Sequence, residues 1–595
     1  MIFSYLPNGK QHYTDRSDEY VKFVLKKQLS DDALWRKFTE VFTTREDEAD
    51  HGWRGEYFGK MMRGACLTYR YYPDEELYAV LESTVKRLIS TADDQGRIST
   101  YPASNEFCGW DLWCRKYVLV GLLYFYGICN SEALKEEMLS AMKRHLDYIA
   151  ERIGEGKIAI TQTSEWYGGM NSSSILEPVV EMYKLTKEPR YLALAEHILK
   201  AGGCRDGSVI EAMENGVLPH EFPTTKAYET MSFFEGILAY YEVTGNKKLL
   251  DLVEKFASLA QENEITLIGC AGCHGEHFDH AALTQANDIK EKTIMQETCV
   301  TVTWLRLQER LLRVTGKILY ADRMEVSALN ALYGALNLAG EKQFCKEEKS
   351  FLPGVPFDSY SPLVAARRGV GIGGFKKFAS GGYYGCCACI GAAGVALYPF
   401  ASAMLSEKGA AILFYHSGEV TIPFEEGELT LVASGSLSSG KMEYTVKSAP
   451  EGKMELCFRI PAWSRASQVV FNGKAVSIEG ALARVEAAFK AGDRFTVTFT
   501  LGVEKHVLNN KVAFTCGPYV LARDERKEGS SFGKKLRLEK DTLVIPIERE
   551  AGEEVRLLLH TQKGEVLLTD YASCGKHWTE KKSNIAVWQP VKKWE

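Results

Sequence analysis

One phrase of apolar and polar positions recurs through the first half of the chain. A run of aromatic and aliphatic residues ends in a short turn, and an amphipathic stretch follows. The copies are TYRYYPDEELYAVLE, LYFYGICNSEALKEEM, VEMYKLTKEPRYLALAE, LAYYEVTGNKKLLDLVE and LLRVTGKILYADRME. Aligned where the second half opens, they give Leu77, Leu134, Leu192, Leu250 and Ala321, spaced 57, 58, 58 and 71 residues apart. Pro73, Pro189, Gly245 and Gly316 punctuate the turns. Beyond each turn apolar residues fall at helical spacing, as in Leu192, Ala195, Ile198 and Leu199, or Leu249, Leu250, Val253 and Phe256. Two helices with their loops fill such a period, which is longer than that of the short solenoid repeats. The segments between are rich in aromatics and glycine. The pattern therefore predicts a closed toroid of helical hairpins, an (α/α) barrel, rather than an open superhelix. The longer fourth interval spans residues 270–299, and an insertion on one rim is where function concentrates.

After about residue 403 the period changes to two. GAAILFYHSGEVTIPF, KMEYTVKSAP, KMELCFRIPAW, QVVFNGKAV and RFTVTFTL alternate apolar and polar positions between Gly, Asn and Pro turns. KVAFTCGPYVLA, DTLVIPIE and VRLLLHT continue the pattern. The expected class is α+β multidomain: a barrel over 1–402, an antiparallel β-sandwich over 403–505 and a second over 506–595, divided near VEKHVLNNKV.

The chain has 595 residues, 45% hydrophobic and 25% charged, which excludes a disordered or collagen-like protein. Its net charge of −6, without a long basic run, argues against nucleic acid and anionic membrane as partners. No stretch of 18 apolar residues predicts a membrane span. The N-terminal MIFSYLPNGKQHYTDR lacks the basic and apolar regions of a secretory leader. With fifteen cysteines, an odd number, the expectation is reduced thiols and a cytoplasmic location. The expected partner is a small sugar substrate, and homodimerisation is left open.

Chemistry-bearing residues gather in three places. CAGCHGEHFDH (270–280) holds Cys270, Cys273, His274, Glu276, His277, Asp279 and His280. Glu297-Thr298-Cys299 leads into a helical pattern. GGYYGCCACIGAAG places Cys386, Cys387 and Cys389 in a glycine-rich segment. Thiolates with a carboxylate suit Zn2+. Spacing leaves two zinc partitions open, Cys270/Cys273/Cys387/Cys389 and Glu297/Cys299/Cys386/Cys387, beside the reading of buried, inert thiols. Glu276 is the general acid/base candidate by composition, and His274 a candidate for pocket lining. The stretches GWDLWCRKY (109–117) and SEWYGGMNSSS (164–174) offer aromatic faces such as Trp166, and polar groups such as Asn171 beside a glycine turn, suited to sugar rings.

These residues resemble glycoside hydrolase family 127, the β-L-arabinofuranosidases, over nearly the whole chain. The resemblance is carried by FGKMMRGACLTY, WYGGMNSSSILEPVVEMYKLT, GEHF before the E-T-C motif, the Cys-Cys pair, LCFRIPAWSRASQVVFNGKAV and KVAFTCGPYVLARD. It implies a six-hairpin (α/α) barrel with β-sandwich domains. It selects Glu297, Cys299, Cys386 and Cys387 as zinc ligands, Cys386 as nucleophile and Glu276 as acid/base. The implied reaction is retaining hydrolysis through a thioglycosyl intermediate, with β-L-arabinofuranose as the default sugar.

The chain departs from the family pattern at several places. Ala388-Cys389-Ile390 follows the Cys pair where members carry Pro-Pro-Asn, and Lys226-Ala227 stands where members often have His-Ala. The segment from Glu276 to Glu297 is a few residues longer. Arg115, Lys116 and Lys226 are read as cations near the pocket, which raises a second reading: the same machinery acting on another furanoside or on an acidic or branched sugar. A third is a non-catalytic carbohydrate-binding protein with a structural four-cysteine zinc site.

Overall fold

The computed structural model describes residues 2–48, 52–288, 295–346, 348–370, 374–538, 544–562 and 564–592. Six helices pack side by side in a ring: Glu56–Tyr71, Asp111–Tyr126, Leu176–Thr186, Ala227–Thr244, Thr298–Thr315 and Cys386–Phe400. Each carries a partner on its outer side. Five partners follow directly in the chain, namely Glu75–Ile89, Glu132–Arg152, Pro189–Lys200, Lys247–Asn263 and Leu319–Ser327. The sixth, Arg16–Val24, comes from the N-terminus to flank Cys386–Phe400 and close the ring.

The predicted turns fall at the hairpin corners. Gly245 and Gly316 take left-handed φ of 67° and 71° at helix C-termini, where a side chain would be strained. Pro189 opens its helix at the first turn, where its missing N–H costs nothing. Asp74 and Ser131 cap the helices that follow them, accepting from the N–H groups of Leu77 and Leu134. The outer helices bury one stripe. Among the inner ones, every residue of Thr298–Leu312 and of Cys386–Phe400 is buried, because these helices touch neighbours on all sides. Gly59 permits one close crossing: a Cβ there would sit 1.9 Å from the Tyr117 carbonyl oxygen.

The β region begins earlier than its sequence pattern. Ser4–Tyr5 pairs with Ala403–Ser406, and Gln11–Tyr13 with Gly418–Phe424, so the N-terminal strands complete the sheets that follow the barrel. A six-stranded sheet and a seven-stranded sheet are built from these and from strands between 403 and 499. Most neighbours are antiparallel, but Gly409–Ile412 runs parallel to Met454–Arg459. Residues 503–590 form an eight-stranded sheet with a small core around Phe514, Leu521, Leu559 and Leu568. Buried Arg459 clamps the first β unit to the barrel by pairing with Asp322, at 2.6 Å, and Glu325. Asn330 bonds the backbone of Pro518 and Val520 on the last unit. No described helix is long and apolar enough to cross a membrane.

Candidate active site and metal centre

All six inner helices turn their N-terminal ends toward one cavity of about 420 Å³. Its wall takes Glu56 and Lys60 from the first helix, Trp110 and Trp113 from the second, and Trp166 and Tyr167 from the turn before the third. Lys226, Tyr228 and Glu229 open the fourth, Glu297 caps the fifth, and Cys386 is the first residue of the sixth. Helix N-termini present unpaired N–H groups and the positive end of the helix dipole, which favours thiolates and carboxylates there.

Glu297, Cys299, Cys386 and Cys387 bring one ligand atom each within 4.8 Å of one another. Cys299 Sγ and Cys387 Sγ are 3.5 Å apart, Cys386 Sγ and Cys387 Sγ 4.0 Å, and Cys387 Sγ lies 3.6 Å from Glu297 Oε1. Four ligands around a tetrahedral zinc at Zn–S of about 2.3 Å would have sulfur–sulfur edges of about 3.8 Å. The second oxygen, Glu297 Oε2, is buried without a hydrogen-bond partner, as a carboxylate awaiting a cation would be. The donor set therefore fits a thiophilic divalent ion.

The other partition is not assembled. Cys270 donates to the Glu297 carbonyl at 3.3 Å, and Cys273 accepts from Gln296 Nε2 at 3.5 Å. Cys389 is buried and lies outside the four-atom cluster. All fifteen cysteines are free thiols.

Thiol hydrogen bonds from Cys299 and Cys387 pull Cys386 well below the ordinary thiol range, against burial and with help from Lys60 and Lys226. Burial pushes Cys299 and Cys387 up. Burial, and then the nearby Glu276 carboxylate, hold Glu297 well above the usual carboxylate range. Lys60 Nζ sits 3.7 Å from Cys299 Sγ and 3.1 Å from Glu56. Burial opposes its charge, but Cys299 and Glu56 outweigh it.

Glu276 enters from the 270–280 loop in a left-handed conformation, with φ of 64°. Two bonds hold that loop against the start of the helix Ala227–Thr244: Ala227 N–H to the Glu276 carbonyl at 3.1 Å, and Phe278 N–H to that of Thr225 at 2.7 Å. Its carboxylate is gripped at both oxygens. Lys226 Nζ donates to Oε2, and Tyr360 OH donates to Oε1 at 2.7 Å. Gly374 covers one side of Cys386, where a Cβ would come within 2.5 Å of Cys386 Sγ.

Of the sequence-derived substrate candidates, Trp166 and Lys226 line the cavity. The others do not, and each has a local reason. Arg115 is buried against Asp111 and Glu106, 2.9 and 2.6 Å away, under the ring of Phe107. Asn171 spends its amide on the Gly109 carbonyl at 2.9 Å. His274 is exposed and bonded to Asp279. Lys116 is buried behind the wall against Ser174 and Ser232, and burial pulls its pKa down to about 7. The expected set of free cations near the pocket thus reduces to Lys226, already paired with Glu276. Trp110 and Trp113 come from the aromatic stretch 109–117 singled out in the sequence, whereas Glu56, Lys60, Tyr228, Glu229 and Tyr360 are pocket residues the sequence reading missed. Only Glu56 and Lys60 left a signal, a charge pair at i, i+4 within a stretch, 56–62, that is otherwise uncharged.

Two solved structures similar to this chain share its whole architecture. A GH127 β-arabinofuranosidase superposes with a TM-score of 0.76 at 15% identity, covering 99% of this chain and 98% of its own. A GH127 β-L-arabinofuranosidase from Geobacillus stearothermophilus T6 does so at 0.75 and 16%, with full coverage of both. The curated non-reducing end β-L-arabinofuranosidase of Bifidobacterium longum is 20% identical over 78% of this chain and 73% of its own length. Residues 14–345 match the model of the β-L-arabinofuranosidase GH127 catalytic domain and 410–501 that of the GH127 middle domain, so the chain belongs to glycoside hydrolase family 127.

Proposed function

We propose that this glycoside hydrolase is a retaining β-L-arabinofuranosidase with Cys386 as nucleophile and Glu276 as acid/base. One observation carries the proposal. Of the three clustered sulfurs, Cys386 alone is among the residues lining the cavity, and the anchored carboxylate of Glu276 faces the same space. The names and family of the similar proteins support β-L-arabinofuranose as the sugar.

Glu297, Cys299, Cys386 and Cys387 would hold zinc, whose charge would keep the thiols ionised at neutral pH. The Cys386 thiolate attacks the anomeric carbon as the glycosidic C–O bond breaks, and protonated Glu276 gives its proton to the leaving oxygen. Glu276, now a carboxylate, takes a proton from water. That water attacks the same carbon, the C–S bond breaks, and the thiolate is restored. Two inversions give net retention. Tyr360 and Lys226 keep Glu276 aimed into the cavity throughout.

The test is hydrolysis of an aryl β-L-arabinofuranoside by the zinc-loaded protein. Wild type should turn over with retention, and Cys386→Ala should not. Glu276→Gln should slow by about 10²- to 10⁴-fold and accumulate a pentosyl adduct on the Cys386 peptide, seen by mass spectrometry. An active Cys386→Ala protein, or an adduct on another residue, would refute the assignment.

A further inference from the structure

We infer that Glu229 reads a hydroxyl group of a neutral glycone and so helps decide which sugars this chain accepts. The inference rests on the reaction proposed at Cys386 and extends it to the substrate class.

Glu229 is the third residue of the helix Ala227–Thr244, fully buried, with its side chain on the cavity wall. Its Oε2 has no hydrogen-bond partner, and no ion pair within 4 Å is formed by it among the described residues. The neighbouring ammonium of Lys226 is committed to Glu276. A buried carboxylate oxygen left unbonded is costly, and native structures rarely keep one without a use.

Two more unsatisfied groups face the same question. The indole N–H groups of Trp110 and Trp166, both residues of this cavity, are also buried without acceptors. One free acceptor and two free donors among aromatic faces form the complement of a sugar ring. Sugar hydroxyls donate and accept at once, and ring C–H faces stack on indoles. The sign of the free charge then restricts the sugar. A uronic acid would bring a second carboxylate toward Glu229, while the two lysines among the described residues of the cavity wall, Lys60 and Lys226, are already paired with Glu56 and Glu276. This reverses the expectation drawn from Arg115, Lys116 and Lys226.

The test compares wild type, Glu229→Gln and Glu229→Ala on an aryl β-L-arabinofuranoside, its 2-, 3- and 5-deoxy analogues and an aryl uronide. If the arabinofuranoside is inert, the same comparison is run on whichever other neutral aryl furanoside is turned over, which would replace the sugar proposed above and still test Glu229. The wild type should prefer the neutral glycoside to the uronide. Glu229→Gln should lose about 10- to 100-fold in kcat/KM, the range for a hydrogen bond to a charged group. One deoxy analogue should be penalised to a similar degree in wild type and no longer in the variants. The melting temperature of Glu229→Gln should not fall, because the variant removes a buried charge without a partner. A residue of purely structural value would lower stability and leave the deoxy penalties alone. Unchanged kcat/KM in both variants, deoxy penalties equal in all three proteins, or a preference for the uronide would overturn the inference. A wild type inert on every glycoside would overturn it together with the proposed reaction.

Discussion

Replacing Glu297 by Gln separates a metal ligand from an ordinary buried acid, because the two roles predict opposite stability changes. In the apo protein Glu297 is a burden: it is buried, Oε2 is unbonded, and its pKa stands well above the usual range. With metal it would be one of four ligands. Structural zinc sites with four ligands contribute about 10–16 kcal/mol of apparent binding energy. One quarter of that is about 3 kcal/mol, or roughly 100-fold in affinity. At fixed zinc excess the stabilisation by binding falls by the same amount. Unfolding entropies of about 2.1 cal/mol/K per residue, taken over the barrel, convert it to a drop of about 3 to 4 °C. Without metal the sign reverses. An acid whose folded pKa exceeds its unfolded value binds more protons folded than unfolded, so it costs stability as pH rises above the unfolded value near 4.3. Gln removes that cost. The assay is differential scanning calorimetry of both proteins at pH 5 and pH 8, with zinc and with chelator, alongside metal analysis. Glu297→Gln should melt lower with zinc, and no lower than wild type with chelator at pH 8. Equal losses under both conditions, or unaltered zinc affinity, would refute the ligand role.

Two further substitutions test the frame that carries the site. Arg306 bonds Glu235 at 2.9 Å and Glu177 at 2.8 Å, joining three inner helices; Arg306→Met leaves buried Glu235 without its partner and Glu177 with Arg310 alone, at 3.4 Å, and should cost about 3–5 kcal/mol, read as a lowered denaturant midpoint. Gly59→Ala places a methyl group 1.9 Å from the Tyr117 carbonyl oxygen, so it should destabilise by about 1–3 kcal/mol and perturb Glu56 and Lys60 on the same helix; an unchanged midpoint would show that the two helices can part without cost.

Five of the six hairpins were legible in the sequence, and the reason is local. Their outer helices bury one stripe, and their corners need Gly or Pro. The sixth pairs Arg16–Val24 with Cys386–Phe400, elements more than 360 residues apart, so no phrase in the sequence could show it. The N-terminal strands were missed likewise: Ser4–Tyr5 and Gln11–Tyr13 are too short to show a period and gain their identity from distant partners. In the site, Glu276, Glu297 and the cysteines stood out because their types are rare at such density. Arg115 and Lys116 stood out for the same reason and misled. A cation next to tryptophans in sequence can be turned into a helix interface, where Asp111 and Glu106 neutralise one and two serines receive the other.

The position of the cavity follows from the way the ring is closed. Every inner helix begins at the same rim, so six positive dipole ends and their unpaired N–H groups converge there. A helix in the middle of a packed ring, each of whose faces meets another helix, holds charges along its length mostly in mutually paired sets, as Arg306 is paired with Glu235 and Glu177. Its first turn is the exception. Glu56, Lys226, Glu229, Glu297 and Cys386 all lie within the first three residues of a helix or at its cap. The helix ends favour the charged forms of the acidic groups there, but burial outweighs this and raises Glu56, Glu229 and Glu297 above the usual carboxylate range. Lys226 is tolerated because it neutralises Glu276, and Lys60, one turn deeper, because it faces Glu56 and Cys299. The proposed reaction needs a thiolate and a carboxylic acid in one space, and this rim is the part of the barrel that brings Cys386 and Glu276 together. Among the described residues, the middle and C-terminal β units contribute none of the cavity-lining side chains. Their influence on the site passes through contacts such as Arg459 with Glu325 and Asn330 with Pro518, so changes there should alter stability before they alter selectivity among sugars.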